Sequence, residues 1–152
     1  MRKTLLSLCL VFALANTTIA TAQTKNQGAT LVNQVEGIKE YKLANGMQVL
    51  LIPDPSQSNM IVNIVYHVGS KHEGYGEKGM AHLLEHMLFK STKNLGDIKK
   101  MLSDKGGDAN GTTYYDRTNY YEIFPSSDEN LRWSLEMEAD RMINATIKQE
   151  DL

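Results

Sequence analysis

Apolar and polar positions alternate between Met60 and Val68. Met60, Val62, Ile64, Tyr66 and Val68 share one face, and Ile61, Asn63, Val65 and His67 the other. β-branched residues dominate, so the stretch predicts a strand. Upstream, Asn45-Gly46 separates two extended-looking runs, Tyr41 to Ala44 and Met47 to Ile52. That dipeptide supplies the positive φ angles of a tight hairpin turn. Pro53 and Pro55 end the second strand, because proline donates nothing to a ladder. Gly69, Gly74, Gly76 and Gly79 mark a loop. Met80 to Lys90 then holds good helix formers without Gly or Pro. It is apolar nearly all round, which predicts a buried helix. Ile98, Met101 and Leu102 predict a second helix, stopped by Gly106-Gly107. Ala109 to Tyr115 and Thr118 to Phe124 read as a hairpin about Asp116-Arg117, with two of its tyrosines (114, 115, 120, 121) facing inward and two outward. Ser126 with Glu129 fits a capping box. A third helix follows, with Leu131, Leu135, Ala139, Met142 and Ile143 on one stripe. The order of strands, helices, strands and helix gives an α+β class.

The N-terminus has a different pattern. Arg2 and Lys3 precede a short apolar run, and Ala20-Thr21-Ala22 follows it. A basic start, a short apolar core and an A-x-A triplet make a secretory signal peptide over residues 1–22. The run is too short for a comfortable membrane span, so no stable membrane insertion is expected after cleavage. Residues 23–37 begin polar and rich in Thr, Gln and Asn, and read as a flexible arm. Residues 38–152 make the remaining domain. Cleavage would remove the only cysteine, at position 9. The whole chain has 152 residues and a net charge of −2, which gives no electrostatic footprint for nucleic acid.

The chemistry lies in His82-Leu83-Leu84-Glu85-His86. On a helix, residues four apart stand one above the other, so His82 and His86 can bind one Zn²⁺ ion. Glu85 stands about 60° around the helix from His82 and about 100° from His86. It flanks the ion without ligating it, where a general base for a zinc-bound water must sit. Zinc lowers the pKa of such a water towards 7. His67, among apolar residues, reads as a core or sheet-face histidine, and His72 as a solvated loop residue.

H-x-x-E-H is the inverted zincin motif. With it come Val68-Gly69-Ser70-Lys71-His72-Glu73, the block Gly79 to Thr92, and Gly106-Gly107-Asp108-Ala109-Asn110-Gly111-Thr112-Thr113 with Asp116, Thr118 and Tyr120. Glu138-Ala139-Asp140-Arg141-Met142 follows. Across these blocks the sequence resembles the pitrilysin/insulinase family of inverted zinc metallopeptidases, from about Ile38 onward. The resemblance implies the first part of a pitrilysin-like domain, an antiparallel sheet with helices packed on one face. It implies His82 and His86 as zinc ligands and Glu85 as general base. It also implies that Ala109, Asn110, Gly111 and Thr112 bind a peptide or unfolded polypeptide as an added strand, with Asn110 holding its backbone. Gly111 stands where the family usually has alanine.

The family's third ligand is a glutamate about seventy-five residues beyond the motif, expected here beyond Leu152. Glu136 and Glu138 read instead as a solvated residue and an ion-pair partner of Arg141. The expectation is an exported zinc metalloendopeptidase, periplasmic or extracellular, seen in its front part. The alternative is a truncated or non-catalytic family member that acts as a binding module or partner subunit. A second peptidase domain or partner subunit is implied, and residues 23–152 alone are not expected to hydrolyse peptides. For export, mass spectrometry of the protein secreted by its native host should find an N-terminus at Gln23. An intact Met1 on the exported protein would refute cleavage.

Overall fold

The computed structural model describes residues 28–149. The expected signal peptide and the start of the polar arm lie outside them. The chain divides at Pro53 into two units.

The first unit holds an antiparallel sheet of β1 (Thr30–Val35), β2 (Ile38–Lys42) and β3 (Gln48–Leu51), in that order. The hairpin expected at Asn45-Gly46 joins β2 to β3. Gly46 has a φ of 91°, and Leu43 N donates to Met47 O at 2.9 Å. β1 corrects the reading of a flexible arm over residues 23–37. Leu31, Val32 and Val35 lie within that stretch, and the ladder of β2 gives them a partner through the turn at Glu36 and Gly37.

The second unit is built on an antiparallel sheet ordered β4 (Asn59–Tyr66), β7 (Thr118–Pro125), β6 (Asp108–Thr113). Its inward face carries Val62, Tyr120, Phe124 and, less buried, Ala109 and Gly111. Helices α1 (Met80–Met87), α2 (Ile98–Asp104) and α3 (Asp128–Asn144) all pack against this sheet. The core is Val62, Ile98, Leu102, Phe124 and Met137. Ile61, Val65 and Ile123 alternate to the other, exposed face. The α+β class and the one-sided helical layer are as expected. A two-stranded ladder, β5 (Ser91–Thr92) with β8 (Ala145–Thr146), completes the unit.

α2 ends as its glycines require. Gly106 has a φ of 73°, and its N–H donates to Ser103 O while Gly107 N donates to Leu102 O. This is a Schellman stop. The β6–β7 loop is Tyr114 to Arg117, closed by Tyr114 N to Arg117 O at 2.8 Å. Of the four tyrosines there, Tyr120 alone is buried, because Tyr114 and Tyr115 have left the ladder and stand exposed. The cap of α3 falls on Ser127 rather than Ser126. Ser126 N is taken by Ser58 O, and Ser127 Oγ accepts from Asn130 N at 3.1 Å.

α3 turns a different face inward from the one expected. Leu131, Leu135, Met142 and Ile143 are exposed, while Ser134, Met137, Glu138 and Arg141 are buried. Both sets have helical spacing. The choice between them follows from a buried carboxyl group on the sheet and the guanidinium it receives. Glu122 on β7 is 0% exposed, and Arg141, 1% exposed, donates to its Oε1 at 2.9 Å. Arg141 also pairs with Glu138 one turn back, as the i, i+3 spacing anticipated. Its guanidinium lies 4.4 Å from the centre of the Tyr120 ring and 5.4 Å from that of Phe89. The charge needs such partners once it is out of water.

Burial and the adjacent Glu138 carboxylate push Glu122 up to about 9. The fold therefore holds a proton that the unfolded chain releases near 4.5. Stability is full below that value and falls as pH rises towards 9, by at most about 1.4 kcal/mol per pH unit. Glu122→Gln keeps an acceptor for Arg141 and cannot ionise. Urea unfolding from pH 5 to 8 should show a shallower loss of stability for this variant than for the wild type.

Candidate metal centre

α1 is held at both ends. Its N-cap is Gly79, at a φ of 92° that favours glycine, and glycine offers no side chain to receive the first amides. Glu73 does so from the preceding loop. Its Oε2 accepts from Gly79 N and its Oε1 from Ala81 N, both at 2.9 Å. A carboxylate here also opposes the positive end of the helix dipole. The loop is fixed in turn to the β6–β7 connection, by Ser70 N to Tyr114 O at 3.0 Å and Lys71 N to Tyr115 O at 2.9 Å. Gly69 allows that approach, since a Cβ there would lie 2.2 Å from Tyr114 O. At the far end the helix stops at Met87, short of the expected Lys90. Phe89 N and Lys90 N reach back only three residues, to His86 O and Met87 O.

The helix is not buried all round. Met80 and Leu84 are exposed, as are both histidines, whereas Glu85 is 5% exposed. His82 and His86 converge, with their Nε2 atoms 3.1 Å apart and ring centroids 4.6 Å apart. Two nitrogens about 2.0–2.1 Å from one tetrahedral zinc would be roughly 3.3 Å apart. The pair therefore fits a shared zinc ion. Among the described residues no cluster of three or more His, Cys, Asp or Glu is gathered for a metal. Glu136 is exposed on α3, and Glu138 belongs to the Arg141 cluster. His67 is exposed just past β4, not in the core, because the strand ends at Tyr66. His72 is exposed, and its Nδ1 accepts from Gly69 N at 3.1 Å.

Glu85 lies against β6. Thr113 Oγ1 donates to its Oε2 at 2.6 Å. A Cβ on Gly111 would stand 3.1 Å from Glu85 Oε1 and from Phe89 Cε2, so glycine gives the carboxylate close access to the strand. β6 is at the edge of its sheet among the described residues. Of the four strand residues named from sequence, Gly111 is the one brought against Glu85. Ala109 packs on the core. Asn110 and Thr112 alternate outward, where Thr112 Oγ1 donates to Asn119 Oδ1 at 2.6 Å. The parts played by Glu73 and Thr113 were missed from sequence. Glu73 could have been sought, since a helix entered through Gly79 needs a capping group from elsewhere.

A helix that turns the two histidines of H-x-x-E-H to solvent and its glutamate onto the edge strand of an antiparallel sheet carries the inverted-zincin motif. Residues 48–152 match the family described as Insulinase (Peptidase family M16), and the chain belongs to that family. The zinc protease PqqE of Helicobacter pylori is 40% identical over 112 residues, covering 72% of this chain and 25% of that protein. Insulin-degrading enzyme of Homo sapiens is 35% identical over 118 residues, covering 74% of this chain and 11% of that enzyme. The solved first half of the periplasmic protease PqqL from Escherichia coli matches with a TM-score of 0.70 at 27% identity. That match covers 80% of this chain and 28% of the other. The chain spans about a quarter of the length of the bacterial relatives it matches.

Two backbone amides hold the Glu73 carboxyl below its usual value, the Ala81 hydrogen bond first and the Gly79 bond second. A depressed carboxyl stabilises the fold above its unfolded value of 4.5, and that contribution is lost as pH falls through the lowered value. Glu73→Ala should speed amide hydrogen exchange at Gly79 and Ala81 at neutral pH. The gap between variant and wild type should close as the wild type is acidified below pH 4.5.

Proposed function

We propose that this chain is the front part of a zinc-dependent metalloendopeptidase that hydrolyses peptides or unfolded polypeptides, with Glu85 as general base. The observation that carries the reading is the His82–His86 pair, with convergent Nε2 atoms 3.1 Å apart beside a sequestered carboxylate. His82 and His86 hold the zinc. The third ligand is a glutamate beyond Leu152, as the family resemblance implies. When bound, zinc supplies an acidified water and polarises a carbonyl. Glu85 takes the proton of the attacking water and passes it to the nitrogen of the departing amine, so one C–N bond breaks and one C–O bond forms. The exposed edge of β6, Ala109 to Thr112, receives the substrate backbone as an added strand.

Export to the periplasm or beyond follows from the leader pattern, and the relative named as a periplasmic protease supports it. The match to the first half of that protease supports a second domain or partner subunit. Retention of Glu85, with a hydroxyl donor in place, favours catalysis over a binding-only role.

The test uses the full-length, zinc-loaded protein. Glu85→Gln should keep one equivalent of zinc by metal analysis. It should lose at least about 100-fold in kcat on an unstructured peptide, the scale of general acid–base catalysis. Equal loss of zinc in that variant would reassign Glu85 as a ligand.

A further inference from the structure

We propose that Thr113 is a positioning residue for the general base. It anchors one oxygen of Glu85 to β6 and so leaves the other to handle the proton. This inference rests on the peptidase reading above.

Glu85 is the sequestered member of a motif whose two histidines are exposed. A carboxylate removed from water needs a donor, and a flexible one needs a fixed direction. The Thr113 hydroxyl supplies both. Its 2.6 Å bond to Oε2 has the short length of a charge-assisted O–H···O⁻ contact. Thr113 is well placed for this. It is the last residue of β6, in register with Thr118 on β7, and it shares the inward side of the strand with Gly111. As a β-branched residue on a strand it has few χ1 choices.

The two carboxylate oxygens are treated differently. Oε2 is bonded to Thr113, while Oε1 has no hydrogen bond among the described residues and is not one of the buried, partnerless atoms. Oε1 thus retains access to solvent beside Gly111. An oxygen held on one side and open on the other is oriented for proton transfer without being saturated by donors. The side chain of Thr113 points towards α1 and not along the edge of β6, so its role is separable from strand addition by substrate.

The experiment compares Thr113→Val, which keeps the shape and removes the hydroxyl, with Thr113→Ser, which keeps the hydroxyl. Both are made in the full-length, zinc-loaded protein. Thr113→Val should lose roughly 10- to 100-fold in kcat, the scale of a misplaced catalytic group, with KM and zinc content within about twofold of wild type. Thr113→Ser should restore kcat to within about threefold, since the hydroxyl returns on a less restricted side chain. Wild-type kcat in Thr113→Val would overturn the proposal. So would an equal loss in both variants, which would assign the effect to the methyl group. Crystal structures of the variants give a readout independent of turnover. The Glu85 carboxylate should leave β6 in Thr113→Val and remain there in Thr113→Ser, and an unmoved carboxylate in Thr113→Val would refute the anchor. Absence of hydrolysis by zinc-loaded wild type would refute the peptidase reading instead, and the crystallographic comparison would still decide whether Thr113 holds Glu85.

Discussion

A guanidinium sealed from water sets the arrangement of the second unit. Arg141 lies among Glu138, Glu122, Tyr120 and Phe89, which come from α3, from β7 and from the turn after α1. Removing one member of a buried ion pair typically costs about 3–5 kcal/mol, because the other charge is left without a partner. The cluster therefore fixes the rotation of α3 about its own axis. It also fixes Tyr120 and Phe89, whose rings meet edge to face at 5.6 Å. Phe89 in turn abuts the backbone of β6 at Gly111, where Glu85 also rests. A chain of direct contacts thus runs from the Arg141 charge to the base of the candidate site.

The site itself divides its polar groups by their access to water. Imidazoles that bind a metal need an open approach for the ion and for a reacting molecule, and His82 and His86 have it. The carboxylate gains from confinement, which limits its directions and strengthens its hydrogen bond. One short helix meets both demands because its two faces differ. One is left to solvent, and the other is pressed onto a strand with a glycine at the contact.

The extent to which the sequence revealed this depends on the range of the interactions. The β4 alternation, the Asn45-Gly46 hairpin and the Gly106 stop are local, and each was legible from a few neighbouring residues. The i, i+4 histidines were legible for the same reason. The inward face of α3 was not. Its apolar stripe and its Trp133, Ser134, Met137, Glu138 and Arg141 stripe are equally periodic, and the choice rests on Glu122, distant in sequence and on another element. The cap from Glu73 and the anchor from Thr113 escaped notice similarly. In each, a donor and an acceptor that are far apart along the chain meet only after the loop and strand are in place. Thr30 to Val35 was misread because its mixture of polar and apolar residues becomes strand-like only against the β2 ladder.

The two bonds from Glu73 to Gly79 and Ala81 have a consequence for variation along the chain. They close residues 74–78 into a small ring that begins and ends on the same carboxylate. Tyr75 at its rim is fully exposed. Closure entropy rises slowly with length, by only about 0.6 kcal/mol for each doubling. This segment can therefore lengthen or change composition while the entry of α1 stays clamped. Diversity can accumulate a few residues from His82 and His86 without disturbing their register.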